Sequence, residues 1–413
     1  MKWTCCQLGA REHYAIPRAL SRSGSLDQLI TDVWMQPSSL LAKVAGGESR
    51  LRDRFHGELR EAPVNAFTLS SILFESVTRA RGQNPWQSIL ARNRWFQRKV
   101  VSHLRSNPST IDTKPVLLSY SYAALEPFRY VKRGGWRSVL VQIDPGPEEE
   151  AIVAEEVARV PELAGEWHAA PSEYWSNWRE ECNLADRIVV NSQWSREGLI
   201  RKGVPGEKIS IIPLAYDTEV NRARLTEPPL QRRYPDRFTS ERPLRVLFLG
   251  LINLRKGVAR LLEAARILRD EPVEFWMVGP VEIANAKALA AAARVKWFGP
   301  VTRKQAGQFY RDADVFILPT LSDGFAITQL EAQANGLPLI VSKSCGKVIE
   351  NGVNGIVLDE PSATVIAATV RDCIVNPGLL EKFASASRVG DRFTIQALAD
   401  HLQELAGTFE GSS

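Results

Sequence analysis

The chain has 413 residues, of which 44% are hydrophobic and 24% are charged, and its formal net charge at pH 7 is +5. This composition is that of a folded globular protein and excludes a disordered or fibrous chain, while the length is too great for a single hydrophobic core. A small positive charge favours an anionic partner such as a nucleotide or a lipid surface.

The cysteines point to a reducing compartment. Cys5, Cys6, Cys182, Cys345 and Cys373 show no CxxC spacing, and their odd number argues against a disulfide scaffold. The five histidines do not cluster with them, so we expect no metal site. No apolar run approaches the roughly 20 residues that cross a bilayer, and the start of the chain is too short for a signal peptide. We therefore expect a cytoplasmic protein.

Short apolar runs that predict buried strands recur along the first half of the chain. They cover residues 3–7, 64–69, 116–118, 139–141, 188–190 and 209–213. Strands that alternate with helical segments are typical of a mostly parallel sheet with helices on both faces.

One helix of the first half combines apolar and basic residues. It is predicted over residues 84–105, where Trp86, Phe96 and Leu104 lie roughly on one side and several arginines supply positive charge. A basic amphipathic helix with tryptophan suits contact with an anionic membrane. The same pattern suits a helix that packs its apolar side into the domain, and the sequence leaves both interpretations open.

A proline- and charge-rich segment, residues 226–243, reads as a linker between two domains. After it, strands are predicted at residues 246–249, 275–278, 295–298, 315–318, 339–341 and 356–358. The expected fold class is α/β, with two Rossmann-like domains that face each other across a cleft. Their expected bounds are 1–225 and 244–380, with C-terminal helices at 381–413 that return to the first domain.

Two carboxylates, eight positions apart, follow a buried strand of the second domain. Asp323 stands beside Gly324 in the predicted turn after the strand, and Glu331 lies in the helix that is predicted from Phe325 onward. Ligands of such sheets bind at the carboxyl ends of the strands, which is where Asp323 lies. The alternative is an Asp that caps a helix, followed by an ordinary helical Glu.

A second loop of this domain carries adjacent cations. Gly250 ends a strand, and Arg255 and Lys256 precede a helix that starts near Val258. Cations at the start of a helix are well placed to meet phosphate oxygens. A surface Lys-Gly turn is the alternative.

These segments resemble the donor domain of the family-4 retaining glycosyltransferases, which have the GT-B fold. That family carries a strand-Gly-loop-Lys-Gly segment, then Glu-Gly-Phe-Gly-x4-Glu-Ala, then a Gly-x-Pro strand. The matching residues are Gly250, Lys256-Gly257, Asp323-Gly324-Phe325-Ala326, Glu331-Ala332 and Gly336-Leu337-Pro338. The similarity covers roughly residues 185–375 and is specific in order and spacing together.

The resemblance implies a role for each matching residue. Lys256 would bind the diphosphate of a UDP- or GDP-sugar, and Glu331 would hold the ribose hydroxyls. Asp323 would accept hydrogen bonds from the donor sugar. The other donor-binding residues that it implies, or that lie beside the motif, are Gly9, Gly250, Arg255, Gly324, Phe325, Ala326 and Ile327. No metal is implied.

Three positions depart from the family pattern. Asp323 is one methylene shorter than the usual Glu, Ala326 replaces the second glycine of the turn, and Leu251 stands where a basic residue often follows the first glycine. In the first domain, Asp144 matches the Asp of a His-Asp pair that many relatives have, whereas the His position is Ile143. Asp144 is therefore a candidate to orient the acceptor hydroxyl, and a strand-end capping Asp is the alternative.

The sequence thus predicts a retaining glycosyltransferase that moves a sugar from a nucleotide sugar to an acceptor hydroxyl, with Asp323, Lys256 and Asp144 as catalytic candidates. Two alternatives stay open, namely another GT-B sugar enzyme, such as a phosphorylase or an epimerase, and a nucleotide-sugar-binding protein with weak turnover. A hydrolase with paired carboxylates is disfavoured because Lys256 prefers a phosphate. No nucleic-acid partner is expected, because the basic and aromatic residues form no recognisable binding module.

Overall fold

A computed structural model of the chain describes residues 1–38, 54–107, 115–217, 232–285 and 294–410. Within these residues the chain forms two parallel β-sheets, one of seven strands and one of six. Each sheet is built from consecutive strand–helix units. The structure confirms the predicted α/β class with two Rossmann-like domains.

The first sheet has the strand order β3-β2-β1-β4-β5-β6-β7. Its strands are β1 (Trp3–Gln7), β2 (Leu26–Thr31), β3 (Val64–Ala66), β4 (Val116–Tyr120), β5 (Arg137–Gln142), β6 (Arg187–Val190) and β7 (Ile209–Ile211). The helices of this domain are α1 (Ala15–Arg22), α2 (Thr68–Ala80), α3 (Pro85–Ser106), α4 (Leu125–Arg133), α5 (Pro147–Arg159), α6 (Ser172–Leu184) and α7 (Gln193–Arg201).

The second sheet has the order β10-β9-β8-β11-β12-β13. Its strands are β8 (Leu244–Leu249), β9 (Val273–Val278), β10 (Val295–Gly299), β11 (Val315–Leu318), β12 (Leu339–Ser342) and β13 (Gly355–Leu358). The helices that follow the linker are α8 (Val258–Ile267), α9 (Arg303–Asp312), α10 (Thr328–Ala334), α11 (Ala363–Val375), α12 (Pro377–Ala386) and α13 (Ile395–Glu410).

Both faces of the first sheet are buried, which explains its continuous apolar runs. Neighbouring side chains of β1 alternate between two cores, with Cys5 in one and Cys6 in the other. Parallel strands that are covered on both faces need apolar residues at every position. The strand β2 was not predicted, because its sequence, Leu-Asp-Gln-Leu-Ile-Thr, lacks such a run.

The helix predicted over residues 84–105 is α3, and its apolar side points into the domain. Asn84 accepts a hydrogen bond from the Gln87 N–H, and the Gln87 side chain bonds back to the Asn84 N–H, so a capping box fixes the start of the helix. Phe96 and Leu104 are buried in the core that covers one face of the first sheet. Of the two interpretations that the sequence left open, the structure therefore shows the packing of the apolar side into the domain.

The part of the predicted linker that the structure describes, residues 232–243, packs against the second domain. Phe238 is buried in the core of that domain, and the Arg232 guanidinium is buried nearby. Arg232 donates hydrogen bonds to the backbone carbonyls of Tyr310, Ala313 and Asn335. Residues 226–231 lie outside the described residues, and the predicted domain bounds stay a prediction.

The C-terminal helices divide between the two domains, and the last helix returns to the first domain. Leu398 and Leu402 of α13 are buried with α1 and the first sheet, whereas α11 and α12 pack on the second domain. Among the described residues no single helix is both long and apolar enough to cross a bilayer. By length and composition, α11 and α12 meet that requirement only as a pair, and this pair is bent by 95°.

Replacement of Arg232 with Met should destabilise the second domain, because three backbone carbonyls would lose a buried donor. We expect a loss of about 2–4 kcal/mol in the free energy of unfolding, measured by urea denaturation. Arg233→Met is the matched control, since Arg233 is exposed, and it should change the free energy by less than about 0.5 kcal/mol. Equal effects of the two substitutions would contradict this role of Arg232.

Candidate active site

A cavity of about 710 Å³ lies between the two domains. The second domain contributes the loop after β8 and the loop after β11, and the first domain contributes residues that follow β1, β5 and β6. Because these are the carboxyl ends of parallel strands, the cavity lies where ligands of such folds bind. With the exception of Gly9, every site residue predicted from the sequence lines it.

The loop between β11 and α10 is held in an extended turn by Asp323. The Asp323 Oδ1 accepts a hydrogen bond from the Phe325 N–H at 3.2 Å. Ala326 then adopts a left-handed conformation with φ of 63°, which a helix cannot contain. The helix consequently begins at Thr328 and not at Phe325 as the sequence predicted, so Glu331 lies in its first turn.

Asp323 is also the centre of a buried ion-pair cluster. Its Oδ2 contacts the Lys256 ammonium, and the Arg255 Nη1 lies 3.6 Å from the same oxygen. Both cations belong to the short turn that follows β8, where the Asn253 Oδ1 accepts a hydrogen bond from the Lys256 N–H. Gly257 ends that turn with φ of +71°, and a Cβ there would lie 1.9 Å from the Pro319 carbonyl oxygen. Glycine therefore brings the two loops together.

Glu149, in the first turn of α5, is a site residue that the sequence analysis did not single out. Its Oε1 lies 3.6 Å from the Arg255 Nη1, and its Oε2 accepts a hydrogen bond from the Ser322 hydroxyl at 2.9 Å. Burial raises the pKa of Glu149 to about 7, although Arg255 opposes that shift. The sequence signal was the run of three glutamates after Pro147, which is typical of a helix start and does not mark a site.

The two domains touch at the loop between β11 and α10. A Cβ on Gly324 would lie 1.9 Å from the Ile143 carbonyl oxygen and 2.9 Å from the Asn191 Nδ2. The Trp194 indole donates to the Ser322 hydroxyl at 3.1 Å, so a second contact across the cleft lies beside the first. The glycine of the motif therefore sets how closely the domains approach each other.

Glu331 is oriented by a residue of the neighbouring helix. The hydroxyl of Tyr310, on α9, donates to the Glu331 Oε2 at 2.8 Å. Tyr310 is fully buried, and burial raises the pKa of its phenol well above the usual value, so the hydroxyl stays protonated and keeps donating. The sequence analysis missed Tyr310 because its partner lies 21 residues further along the chain.

Asp144 lines the cavity and caps the end of β5 at the same time. Its Oδ1 accepts hydrogen bonds from the Tyr122 hydroxyl at 2.5 Å, the Gln142 side-chain amide at 2.8 Å and the Gly146 N–H at 2.8 Å. The two interpretations that the sequence left open are therefore compatible, since this arrangement holds the carboxylate rigidly at the cavity wall.

The loop after β1 reaches the cavity through residues 11–13. The N–H of Gly9 donates to the Asp32 Oδ1 at 2.9 Å, and Gly9 does not line the cavity. Glu12 and His13 both have left-handed backbone angles, with φ of 51° and 52°. The His13 imidazole contacts the Arg303 guanidinium of the second domain, so this strained loop also bridges the cleft.

The described residues contain no group of three His, Cys, Asp or Glu side chains that could hold a metal ion. The polar residues that line the cavity include cations, carboxylates and hydroxyl-bearing side chains. Such a set suits a ligand that has both an anionic part and several hydroxyl groups.

Two family models cover most of the chain. The one described as Glycosyl transferases group 1 matches residues 233–389, and the one described as Glycosyltransferase Family 4 matches residues 75–220. The order of the two matches agrees with the order of the two domains. The chain belongs to the family-4 glycosyltransferases of the GT-B fold.

Curated relatives share about a quarter of the residues of this chain over the aligned region. The amylovoran biosynthesis glycosyltransferase AmsK of Erwinia amylovora is 27% identical over 196 residues, which is 44% of this chain and 45% of that protein. The D-inositol 3-phosphate glycosyltransferase of Xylanimonas cellulosilytica is 26% identical over 231 residues, or 50% of this chain and 53% of that protein. The matches span about half the length of these relatives.

Solved structures resemble this chain over its whole length. Anabaena HepE in complex with UDP-glucose has a TM-score of 0.61 and 15% identity, with 99% of this chain and 100% of that chain covered. Sucrose-phosphate synthase from Thermosynechococcus elongatus has a TM-score of 0.63 and 16% identity, with both chains fully covered. At this identity the likeness shows the fold alone.

Gly324→Ala should disturb the contact between the domains, because the added Cβ would overlap the Ile143 carbonyl. Overpacking of this kind costs about 1–3 kcal/mol, so we expect the midpoint of thermal unfolding to fall by several degrees. Gly378→Ala is the control, since a Cβ there meets nothing within 4 Å. An unchanged midpoint for Gly324→Ala would mean that the close contact between Gly324 and the Ile143 carbonyl does not limit how the domains pack.

Proposed function

We propose that this glycosyltransferase moves a sugar from a nucleotide-sugar donor to an acceptor hydroxyl with retention of anomeric configuration. The observation that carries the proposal is the meeting of Arg255 and Lys256 with Asp323 at the loop before α10. The reacting bond of a nucleotide sugar joins a diphosphate to a sugar. The two cations suit the diphosphate, and the carboxylate can accept hydrogen bonds from the sugar hydroxyls.

The diphosphate would bind between the loop after β8 and the loop after β11. There Lys256 and Arg255 would exchange part of their interaction with Asp323 and Glu149 for interactions with phosphate oxygens. A uridine nucleotide is our first candidate because HepE, which has the same fold, was solved with UDP and with UDP-glucose. A GDP-sugar is the alternative donor.

The nucleoside would extend from the diphosphate toward Glu331. Tyr310 holds one of the carboxylate oxygens of Glu331, which prepares the other for the two hydroxyls of a ribose. Asp323 would remain close to the sugar, where it would accept a hydrogen bond from a hydroxyl group. Its carboxylate would thus contact Lys256 and also help to select the sugar by hydrogen bonding.

The chemical step would depend on charge stabilisation. The bond from the anomeric carbon to the diphosphate oxygen breaks, and the acceptor oxygen bonds to that carbon on the same face. The acceptor proton passes to an oxygen of the departing diphosphate. Lys256 and Arg255 would stabilise the negative charge that develops there, and Asp144 would orient the acceptor hydroxyl. The reaction would need no metal ion.

A nucleotide-sugar-binding protein with weak turnover is the second candidate. Two observations favour it, namely the strained backbone at Ala326 and the direct engagement of Lys256 by Asp323. Incubation with UDP-sugars and GDP-sugars, with and without acceptor extracts, separates the candidates. Binding without transfer would favour the second, whereas a requirement for free phosphate would point to a phosphorylase. Failure of all nucleoside diphosphates to bind would refute the proposal.

A cytoplasmic location remains part of the proposal. The five cysteines are free and buried, which is compatible with a reducing compartment.

Asp323 and Glu331 should separate transfer from nucleotide binding. Asp323→Ala should lower the rate of transfer about 100-fold or more, yet change the Kd for UDP by less than about threefold. Glu331→Ala should raise that Kd about tenfold or more, because a charged acceptor for two hydroxyls is lost. Calorimetry and product analysis measure the two effects. The exposed Asp359→Ala is the control, and equal losses of binding and transfer in Asp323→Ala would refute the division of roles.

Glu149 should make donor binding depend on pH. Its pKa is about 7, so the carboxyl is mostly neutral below pH 7 and becomes an anion above it, where it competes with the diphosphate for Arg255. Between pH 6.5 and 8.5 we expect the affinity for UDP to fall about fivefold in the wild type. The affinity of Glu149→Gln should fall less steeply, and this variant controls both for the ionisation of UDP and for the deprotonation of Lys256, whose pKa is lowered to about 7 by burial. Parallel pH profiles for the two proteins would exclude the effect.

A further inference from the structure

Helix α2 exposes its apolar residues and buries its polar ones. Ser71 and Thr78 face the domain with exposed fractions of 5% and 9%. The opposite side carries four large aliphatic side chains, Leu69, Ile72, Leu73 and Val77, with exposed fractions of 70%, 38%, 66% and 40%. We name these four side chains the α2 outer face. A helix of a globular domain ordinarily shows the reverse arrangement.

The α2 outer face is one continuous stripe. Its members are spaced at i, i+3, i+4 and i+8, so they lie one above another on the helix surface. The helix is anchored along a different side, where Phe74 stacks on Trp95 with ring centroids 5.2 Å apart and Glu75 forms an ion pair with Arg92. These contacts hold α2 against α3 and leave the outer face accessible.

The same region is more positive than the protein as a whole, which has a formal net charge of +5. Residues 68–107, which form α2 and α3, contain seven Lys or Arg residues and one acidic residue, Glu75. Arg79 and Arg81 are exposed at the C-terminal end of α2, and Arg98 is exposed on α3. The apolar stripe therefore lies in a strongly cationic surface.

These two properties decide between the possible occupants of the face. A symmetric pair of chains would bring two cationic segments together, which disfavours a second copy. A protein partner would be expected to engage aromatic or arginine anchors in a pocket, whereas this face is a convex row of aliphatic groups. An anionic bilayer satisfies both features, because its interior accepts aliphatic side chains and its headgroups attract arginine.

We propose that the α2 outer face docks this glycosyltransferase on an anionic lipid bilayer. The position of α2 gives the contact a functional meaning, because the helix starts two residues after β3 ends, on the cleft side of the first sheet. Thr68, its first residue, is bonded through its hydroxyl to the backbone N–H of Trp34 at 3.1 Å. Resting on the proposed function, docking through α2 would hold the first domain, whose Asp144 is the candidate to orient the acceptor hydroxyl, near the membrane surface, where a lipid-linked acceptor would lie.

Flotation of the full-length chain with lipid vesicles tests the proposal. The vesicles are made of phosphatidylcholine alone or of an equimolar mixture with phosphatidylglycerol. We expect the wild type to bind the mixed vesicles and not the neutral ones. Leu69→Gln with Leu73→Gln should lower the partition coefficient about tenfold or more, because two aliphatic groups no longer enter the bilayer. Arg79→Gln with Arg81→Gln should lower it by a similar factor.

The matched control is Val365→Gln with Val375→Gln, which removes two exposed aliphatic side chains from α11 in the other domain. This variant should bind mixed vesicles as the wild type does. Three results would overturn the proposal, namely no binding of the wild type to mixed vesicles, undiminished binding of the Leu69 and Leu73 variant, or a wild-type dimer that this variant dissociates. Titration of each protein with UDP shows separately whether the donor site is intact, so a failed donor proposal would leave the vesicle result interpretable.

Discussion

The close contact between Gly324 and the Ile143 carbonyl is the constraint on which the arrangement of the cleft depends. It lies at the carboxyl ends of strands from both sheets, where it limits how closely the two domains approach each other. The contact of Trp194 and Glu149 with Ser322 reinforces it from the first domain. Since the same loop carries Asp323, the distance between the domains and the position of the candidate donor residues are set by one short segment.

Charge balance gives this segment its second property. Arg255 and Lys256 face Asp323 and Glu149, so two cations and two carboxylates occupy a buried region. Buried charges are tolerated when each has a partner, and a bound diphosphate would offer the cations a stronger one. Glu149 comes from the first domain, so the charge state of the donor region depends on both halves of the protein.

The departures from the family pattern acquire physical explanations in the structure. Ala326 keeps the left-handed backbone that a glycine would adopt freely, which costs about 1–2 kcal/mol in a residue with a Cβ. The shorter Asp323 reaches Lys256 directly and also caps the Phe325 N–H. The missing basic residue at Leu251 is matched by Arg255, whose guanidinium lies in the same cluster. In this chain the turn is therefore held by its own set of side chains.

The sequence by itself determined the fold class and nearly all of the candidate donor residues. Continuous apolar runs predict strands buried on both faces, and the spacing of Gly250, Lys256, Asp323 and Glu331 is local enough to be read along the chain. Apart from Asp144, which the sequence also indicated, the tertiary structure decided which further residues of either domain join them. Glu149 and Tyr310 carry no local signal, because their roles arise only when packing brings distant segments within hydrogen-bond distance. The outward orientation of the α2 aliphatic residues also depends on tertiary packing, because the sequence pattern of a helix does not determine which of its faces the domain buries.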